Sequence, residues 1–135
     1  MTCFWDGILN KITLDDINLY LSKNSTYFNI DQKEFISLLK VRAVRIPHSG
    51  YLVTIDGKFV TSKMNEENSE WIAGYDINKI SQGHDCSISD PFLILIAHIF
   101  PIHIIHNYNG YTVNYKNVRN IKKTIRFESD QGHFS

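Results

Sequence analysis

Two residues near opposite ends of the sequence, Cys3 and His133, have side chains suited to nucleophilic catalysis. Cys3 stands where the chain is predicted to enter a helix, and a helix N-terminus stabilises a thiolate through its free amides and positive dipole end. The same amides could hold the oxyanion of an acyl-transfer intermediate. His133 stands on the predicted last strand, which would hold its ring rigidly, as a general base requires. The two residues predict a nucleophile–base pair, against the alternative that both are ordinary structural side chains.

The tripeptide His84-Asp85-Cys86 is a second place where chemistry could occur. It could supply metal ligands or a second nucleophile, but zinc sites need paired ligand spacings and the chain has no Cys-x-x-Cys. We therefore expect no metal ion, and assign Asp85 and Ser87 to capping of the loop before the next helix. Cys86 is kept as the less favoured nucleophile.

The other histidines of the apolar region are not expected to form a metal site. His103 and His106 are three residues apart on a predicted strand, which places them on opposite faces. His98 lies on a strongly apolar predicted helix, where a histidine is expected to be a core residue with a hydrogen bond.

Length and charge place the chain among small soluble domains. Its 135 residues predict a single domain over residues 1–135. Its 14 basic residues equal its 14 acidic ones, so the basic excess of a nucleic-acid binder is missing. Two cysteines are too few for a disulfide scaffold. Because residues 91–105 are shorter than a bilayer span of roughly 20 residues and the start does not resemble a signal peptide, we expect no membrane association and a cytoplasmic location.

The predicted helices lie mainly in the first half. Phe4, Ile8 and Ile12 recur every four residues and form one helical face. Three further helices are predicted from residues that can cap free amides: Thr13, Asp31 and Asp90. The last of these, Pro91–Phe100, is apolar enough to be a buried central helix. The polar stretch Lys63–Ser69 is predicted to be a surface loop.

The predicted strands follow two turn signals. Asp56-Gly57 and Asn109-Gly110 each separate two β-rich segments, and such pairs favour tight hairpins because both residues tolerate positive φ. Further strands are predicted at Thr124–Phe127 and Gly132–Phe134. Helices first, a buried central helix and a mostly antiparallel C-terminal sheet predict an α+β fold.

The segment Cys3-Phe4-Trp5-Asp6-Gly7-Ile8 resembles the nucleophile helix of the ovarian-tumour (OTU) family of cysteine deubiquitinases. Pro91–Phe100 is similar to the family's central helix, and it is followed, as in the family, by an apolar strand, a hairpin and a last strand. That strand carries a histidine with an aromatic residue directly after it, here His133-Phe134. Trp71 resembles a tryptophan of the segment before the central helix. The resemblance spans nearly the whole chain.

This resemblance implies a papain-like fold and hydrolysis of the (iso)peptide bond after the C-terminus of ubiquitin or a ubiquitin-like modifier. It makes Cys3 the nucleophile and His133 the base, with the backbone amides of Thr2 and Cys3 holding the oxyanion. Its implied partners are the modifier and its conjugates, with the enzyme acting as a monomer and using no cofactor. Viral members are often this small, and the richness in Ile, Asn and Lys fits an AT-rich viral or intracellular-parasite genome. A viral member would act in the host cytoplasm.

The sequence also departs from the family pattern. Family members usually have an Asp and a short loop before the cysteine, and this loop helps to form the oxyanion hole; here two residues precede Cys3. Many members also orient the histidine with an Asp or Asn two residues after it, and here that position is Ser135. Ser135 could accept a hydrogen bond from the ring but carries no charge; Asp6 and Asp130 are conceivable substitutes. Three explanations of these departures therefore remain: the ends of the sequence are trimmed, the enzyme works with a Cys–His dyad, or the domain has lost its activity. The rival hypotheses are an inactive OTU-like module that binds ubiquitin or a host protein, and an unrelated α+β protein with structural cysteines.

Overall fold

A computed structural model of the chain describes residues 3–22, 26–47, 50–82, 84, 86–130 and 133–134. For Cys3, Gln82, Asp130 and His133 it describes the backbone alone. Within these residues helices pack against one six-stranded sheet, which confirms the predicted α+β class; the first two strands lie between helices in the chain and the other four follow the last helix. None of the helices in the described part of the chain has both the length and the apolar character to cross a membrane.

Helices begin where the sequence supplies a side chain that can accept hydrogen bonds from free amides. The Thr13 hydroxyl accepts from the Asp16 amide at 3.2 Å, and the Asp31 carboxylate accepts from the Glu34 amide at 2.8 Å. The α-helices are α1 (Cys3–Lys11), α2 (Leu14–Asp16), α3 (Gln32–Arg45), α4 (Ser62–Ala73) and α5 (Pro91–Ile99). A π-helical segment, Ile17–Leu21, continues α2, and a 3₁₀ segment, Ile77–Gln82, follows α4.

The prediction of a surface loop over residues 63–69 is wrong, because these residues lie within α4. The Thr61 hydroxyl caps the helix by accepting a hydrogen bond from the Met64 amide at 3.1 Å. Two residues seven positions apart, Asn65 and Ile72, are buried. A helix whose buried face includes an asparagine has too little apolar periodicity to be recognised from sequence.

Both predicted hairpins are confirmed. Asp56 and Gly57 have φ values of 50° and 85°, and Asn109 and Gly110 have 49° and 87°, so each turn uses two left-handed residues. The strands are β1 (Val53–Ile55), β2 (Lys58–Phe59), β3 (Ile102–Tyr108), β4 (Tyr111–Asn117), β5 (Lys123–Asp130) and β6 (His133–Phe134).

The order of strands in the sheet is β2-β1-β4-β3-β5-β6. Described neighbours pair antiparallel except β3 and β5, which are parallel, so the predicted mostly antiparallel sheet is confirmed. After β4 the chain crosses to the other side of β3, where the Lys122 amide donates to the Pro101 carbonyl at 2.7 Å. This crossing carries β5 and β6 to the edge of the sheet where α1 lies.

The sheet buries one face against α5, and burial alternates from residue to residue along β3. Ile102, Ile104 and His106 are buried, whereas His103 is half-buried and pairs with Asn114 at 2.8 Å. The prediction that the two histidines lie on opposite faces is confirmed. His106 is thereby placed inside the protein, where a polar ring needs a partner.

Candidate active site

The first turn of α1 lies against β6, so the two elements that carry Cys3 and His133 are packed together. The rings of Phe4 and Phe134 have centroids 4.9 Å apart. A Cβ atom added to Gly7 would come within 2.7 Å of the Phe134 ring, so glycine is needed for this close approach.

These contacts join elements that lie at opposite ends of the sequence. The helix begins at Cys3, and in the β5–β6 pairing His133 is opposite Asp130. Both side chains lie outside the described part of the chain, as do Thr2 and Ser135 in full. The predicted catalytic pair, the oxyanion amides and the ring-orienting serine therefore stay predictions.

Trp5 anchors the start of α1 in the core. Its side chain is fully buried, and its indole Nε1 donates a hydrogen bond to the Tyr75 hydroxyl at 3.1 Å. Its ring meets those of Phe4 and Phe92 edge-on, with centroids 4.8 and 4.7 Å away. Because an indole packed on several sides has little freedom to shift, the first turn of α1 has one orientation relative to α5.

His84 is held next to this anchor by a buried carboxylate. Its Nε2 lies 2.7 Å from Oδ2 of Asp90, which is completely buried. The other Asp90 oxygen accepts the Phe92 amide at 2.9 Å and so caps α5. Five aromatic rings surround the imidazole with centroids 4.5–6.2 Å away: Phe4, Trp5, Trp71, Tyr75 and Phe92. The sequence marked His84 only as a possible ligand, and its partner in the structure is Asp90.

Cys86, the alternative nucleophile, lies in an unfavourable place for a thiolate. Its sulfur is 3.8 Å from Nε2 of His106. Burial, and then the negative charge of Asp90, raise the pKa of the Cys86 thiol far above its usual range. The thiolate is the nucleophilic form of cysteine, so a thiol that keeps its proton at neutral pH is a poor nucleophile.

His106 has its closest partner on β5. Its Nε2 lies 2.6 Å from the Ser129 hydroxyl, and its ring centroid is 5.9 Å from that of Phe134. Burial lowers the pKa of His106 below its usual value, while the nearby Asp90 carboxylate acts in the opposite direction. The sequence predicted that His106 and His103 lie on opposite faces but not this bond, because Ser129 is 23 residues away and reaches His106 through the parallel β3–β5 pairing.

The remaining candidate residues are those considered as substitutes for the missing acid or as caps of the loop before α5. Asp6 accepts a hydrogen bond from the Gln32 side chain at an exposed position, whereas the Asp130 side chain and Asp85 lie outside the described part of the chain. The Ser87 amide donates to the Asp90 carboxylate at 3.3 Å, so Asp90 caps the loop as well as α5. Within the described residues, no three His, Cys, Asp or Glu side chains are grouped so that they could hold a metal ion.

The prediction that His98 is a core histidine with a hydrogen bond is confirmed for the bond, although the side chain is half-buried and lies at the edge of the core. Its Nδ1 accepts from the Leu52 amide at 3.0 Å, and its ring lies 5.0 Å from that of Tyr51. Burial, together with the positive charges of Arg119 and Arg42, lowers the pKa of His98 from 6.5 to about 4. The ring is therefore neutral in the folded protein at neutral pH.

This lowered pKa makes stability depend on pH. Below pH 6.5 the unfolded chain binds a proton at His98 more readily than the folded protein does, so the free energy of unfolding falls as pH is lowered from about 6.5 toward about 4. His98→Asn keeps an acceptor for the Leu52 amide but cannot titrate. We expect urea unfolding at pH 7 and pH 5 to show a smaller loss of stability for this variant than for the wild type. An equal loss in both proteins would show that His98 does not contribute.

Comparisons of this chain with models of protein families, with curated proteins and with solved structures find no match.

Proposed function

We propose that this protein is an OTU-like cysteine protease that hydrolyses (iso)peptide bonds after the C-terminus of ubiquitin or a ubiquitin-like modifier. The observation that carries the proposal is the packing of α1 against β6. Phe4 and Phe134, which directly follow the two proposed catalytic residues, are in ring contact at 4.9 Å. A nucleophile at the start of a helix and a base on the last strand would need this juxtaposition.

The order of the elements supports the proposed papain-like OTU fold. The helix that starts at Cys3 comes first, and the buried helix α5 precedes the strand β3 and a hairpin. The last described strand then returns to the first helix. The family pattern has the same order.

In the proposed reaction the Cys3 thiolate attacks the carbonyl carbon of the modifier's last glycine. His133 takes the thiol proton and then gives it to the leaving lysine amine, so that an acyl-enzyme forms as the carbon–nitrogen bond breaks. A water molecule, deprotonated by His133, then hydrolyses the thioester. The amides at the start of α1 stabilise the oxyanion in both steps. This sequence of steps needs no metal ion or organic cofactor.

The proposed partners are ubiquitin, or a similar modifier, and its conjugates. The proposed enzyme is a monomer that acts in the cytoplasm, or in the host cytoplasm if the protein is viral. The thiol chemistry requires cysteines to stay reduced, which the cytoplasm provides.

A ubiquitin carrying a C-terminal electrophile tests this function directly. We expect the wild-type protein to form a covalent adduct of one ubiquitin per chain, and peptide mass spectrometry to place it on Cys3. Cys86→Ala is the matched control, because it removes the second cysteine of the chain and should leave the adduct unchanged. An adduct on Cys86, or no adduct while an established deubiquitinase reacts in parallel, would contradict the proposal.

The alternative is an inactive OTU-like module that binds ubiquitin or a host protein. It is favoured by Ser135, which stands where family members often place the acid that orients the histidine. Binding of ubiquitin without adduct formation in the same experiment would support this alternative.

A further inference from the structure

The strand that carries the proposed base has a short backbone pairing, while the buried Phe134 ring packs against Phe4 and Phe127. In the described residues β6 comprises His133 and Phe134, which pair with Asp130 and Ser129 at the end of β5. A two-residue strand forms too few ladder hydrogen bonds to define its own position. The position of His133 therefore depends on the end of β5 as well as on the packing of Phe134.

The end of β5 is tied to β3 through the backbone, where the Asn109 amide donates to the Ser129 carbonyl at 3.0 Å, and through a partly buried side-chain contact. Ser129 has its hydroxyl 2.6 Å from Nε2 of His106, whose side chain is completely buried. In the register of the sheet Ser129 is also the residue opposite Phe134. The Ser129 side chain thus contacts β3, and its backbone is paired with β6.

The surroundings of His106 determine which way this hydrogen bond runs. Within the described residues, Nδ1 of His106 is buried and has no hydrogen-bond partner. Leaving an N–H without an acceptor is costlier than leaving a nitrogen lone pair unused, which favours the tautomer with the hydrogen on Nε2. In that tautomer Nε2 donates to the Ser129 oxygen. The low-dielectric surroundings strengthen such a bond and favour a single geometry.

We infer that His106 and Ser129 are positioning residues for the proposed catalytic histidine, and that their hydrogen bond helps to set the distance between His133 and the start of α1. This inference rests on the proposed function. Neither residue acts on the substrate: Ser129 holds β6, and His106 holds Ser129. A displacement of about 1 Å of a catalytic group can reduce a rate by up to about 100-fold, so losing this bond should affect the chemical step.

The test separates the rate of the covalent step from binding. Reaction with the ubiquitin electrophile is measured over a range of probe concentrations, giving a maximal rate and a half-saturating concentration. Ser129→Ala should lower the maximal rate about tenfold and change the half-saturating concentration less than about twofold. Ser129→Thr keeps the hydroxyl and should recover most of the rate.

Thr124→Val is the matched control, because it removes a hydroxyl from the other end of β5, opposite His103. It should leave the maximal rate within about twofold of the wild type. The inference is overturned if Ser129→Ala behaves like Thr124→Val, if Ser129→Thr recovers nothing, or if the change is in the half-saturating concentration. A wild type that forms no adduct on Cys3 overturns the proposed function, and this inference with it.

Discussion

Cys3→Ala is expected to lower hydrolysis of a fluorogenic amide at the ubiquitin C-terminus by at least about 10⁴-fold, because the variant has no atom to form the acyl-enzyme. A protein that has lost its nucleophile retains the substrate site, so affinity for ubiquitin should change little. The measurements are kcat/KM at pH 7 and binding of unmodified ubiquitin by calorimetry.

Cys86→Ala is the control for this prediction. The Cys86 thiol is partly buried near Asp90 and keeps its proton, so its removal should change kcat/KM by no more than about threefold. The reverse pattern, with activity lost in Cys86→Ala and kept in Cys3→Ala, would move the nucleophile to the loop before α5.

His133→Gln is expected to lower kcat/KM by about 10² to 10⁴-fold, the range for loss of a general base. The imidazole serves three steps of the proposed reaction, namely deprotonation of the thiol, protonation of the leaving amine and activation of water. A glutamine side chain can still hydrogen-bond but cannot carry the proton. The residual rate should rise with pH through the range where the free thiol ionises, instead of levelling off near neutrality.

His103→Gln provides the matched histidine control. His103 lies on β3, half-buried and paired with Asn114. Its replacement should leave kcat/KM and the pH profile close to those of the wild type. Equal losses in the two variants would show that the loss reflects the fold of the sheet and that His133 is not the base.

Much of the fold could be predicted because its signals are local. A helix start needs an acceptor for free amides within three residues, and Thr13, Asp31 and Asp90 each supply one. A tight hairpin needs two residues that tolerate positive φ, and Asp56-Gly57 meets that condition. The helix α4 was missed because it has few buried positions and one of them is an asparagine.

The candidate site could be predicted only in part. The residue types and the positions of Cys3 and His133 in the sequence suggested a nucleophile and a base, and this pair stays a prediction; the structure shows that α1 packs on β6. The surroundings of the site could not be predicted. Asp90 was expected to cap a helix, and the structure shows that it also binds His84. Nothing local in the sequence indicates that the buried carboxylate has this second partner.

The amino-acid sequence by itself determined the α+β class, the starts of most helices, both hairpins and the alternation of faces along β3, because each depends on residues a few positions apart. The tertiary structure alone decided the parallel pairing of β3 with β5, the return of β6 to α1 and the bond between His106 and Ser129. These features join residues 20 or more positions apart. Their energies depend on how the whole chain buries its apolar surface, which no short stretch of sequence specifies.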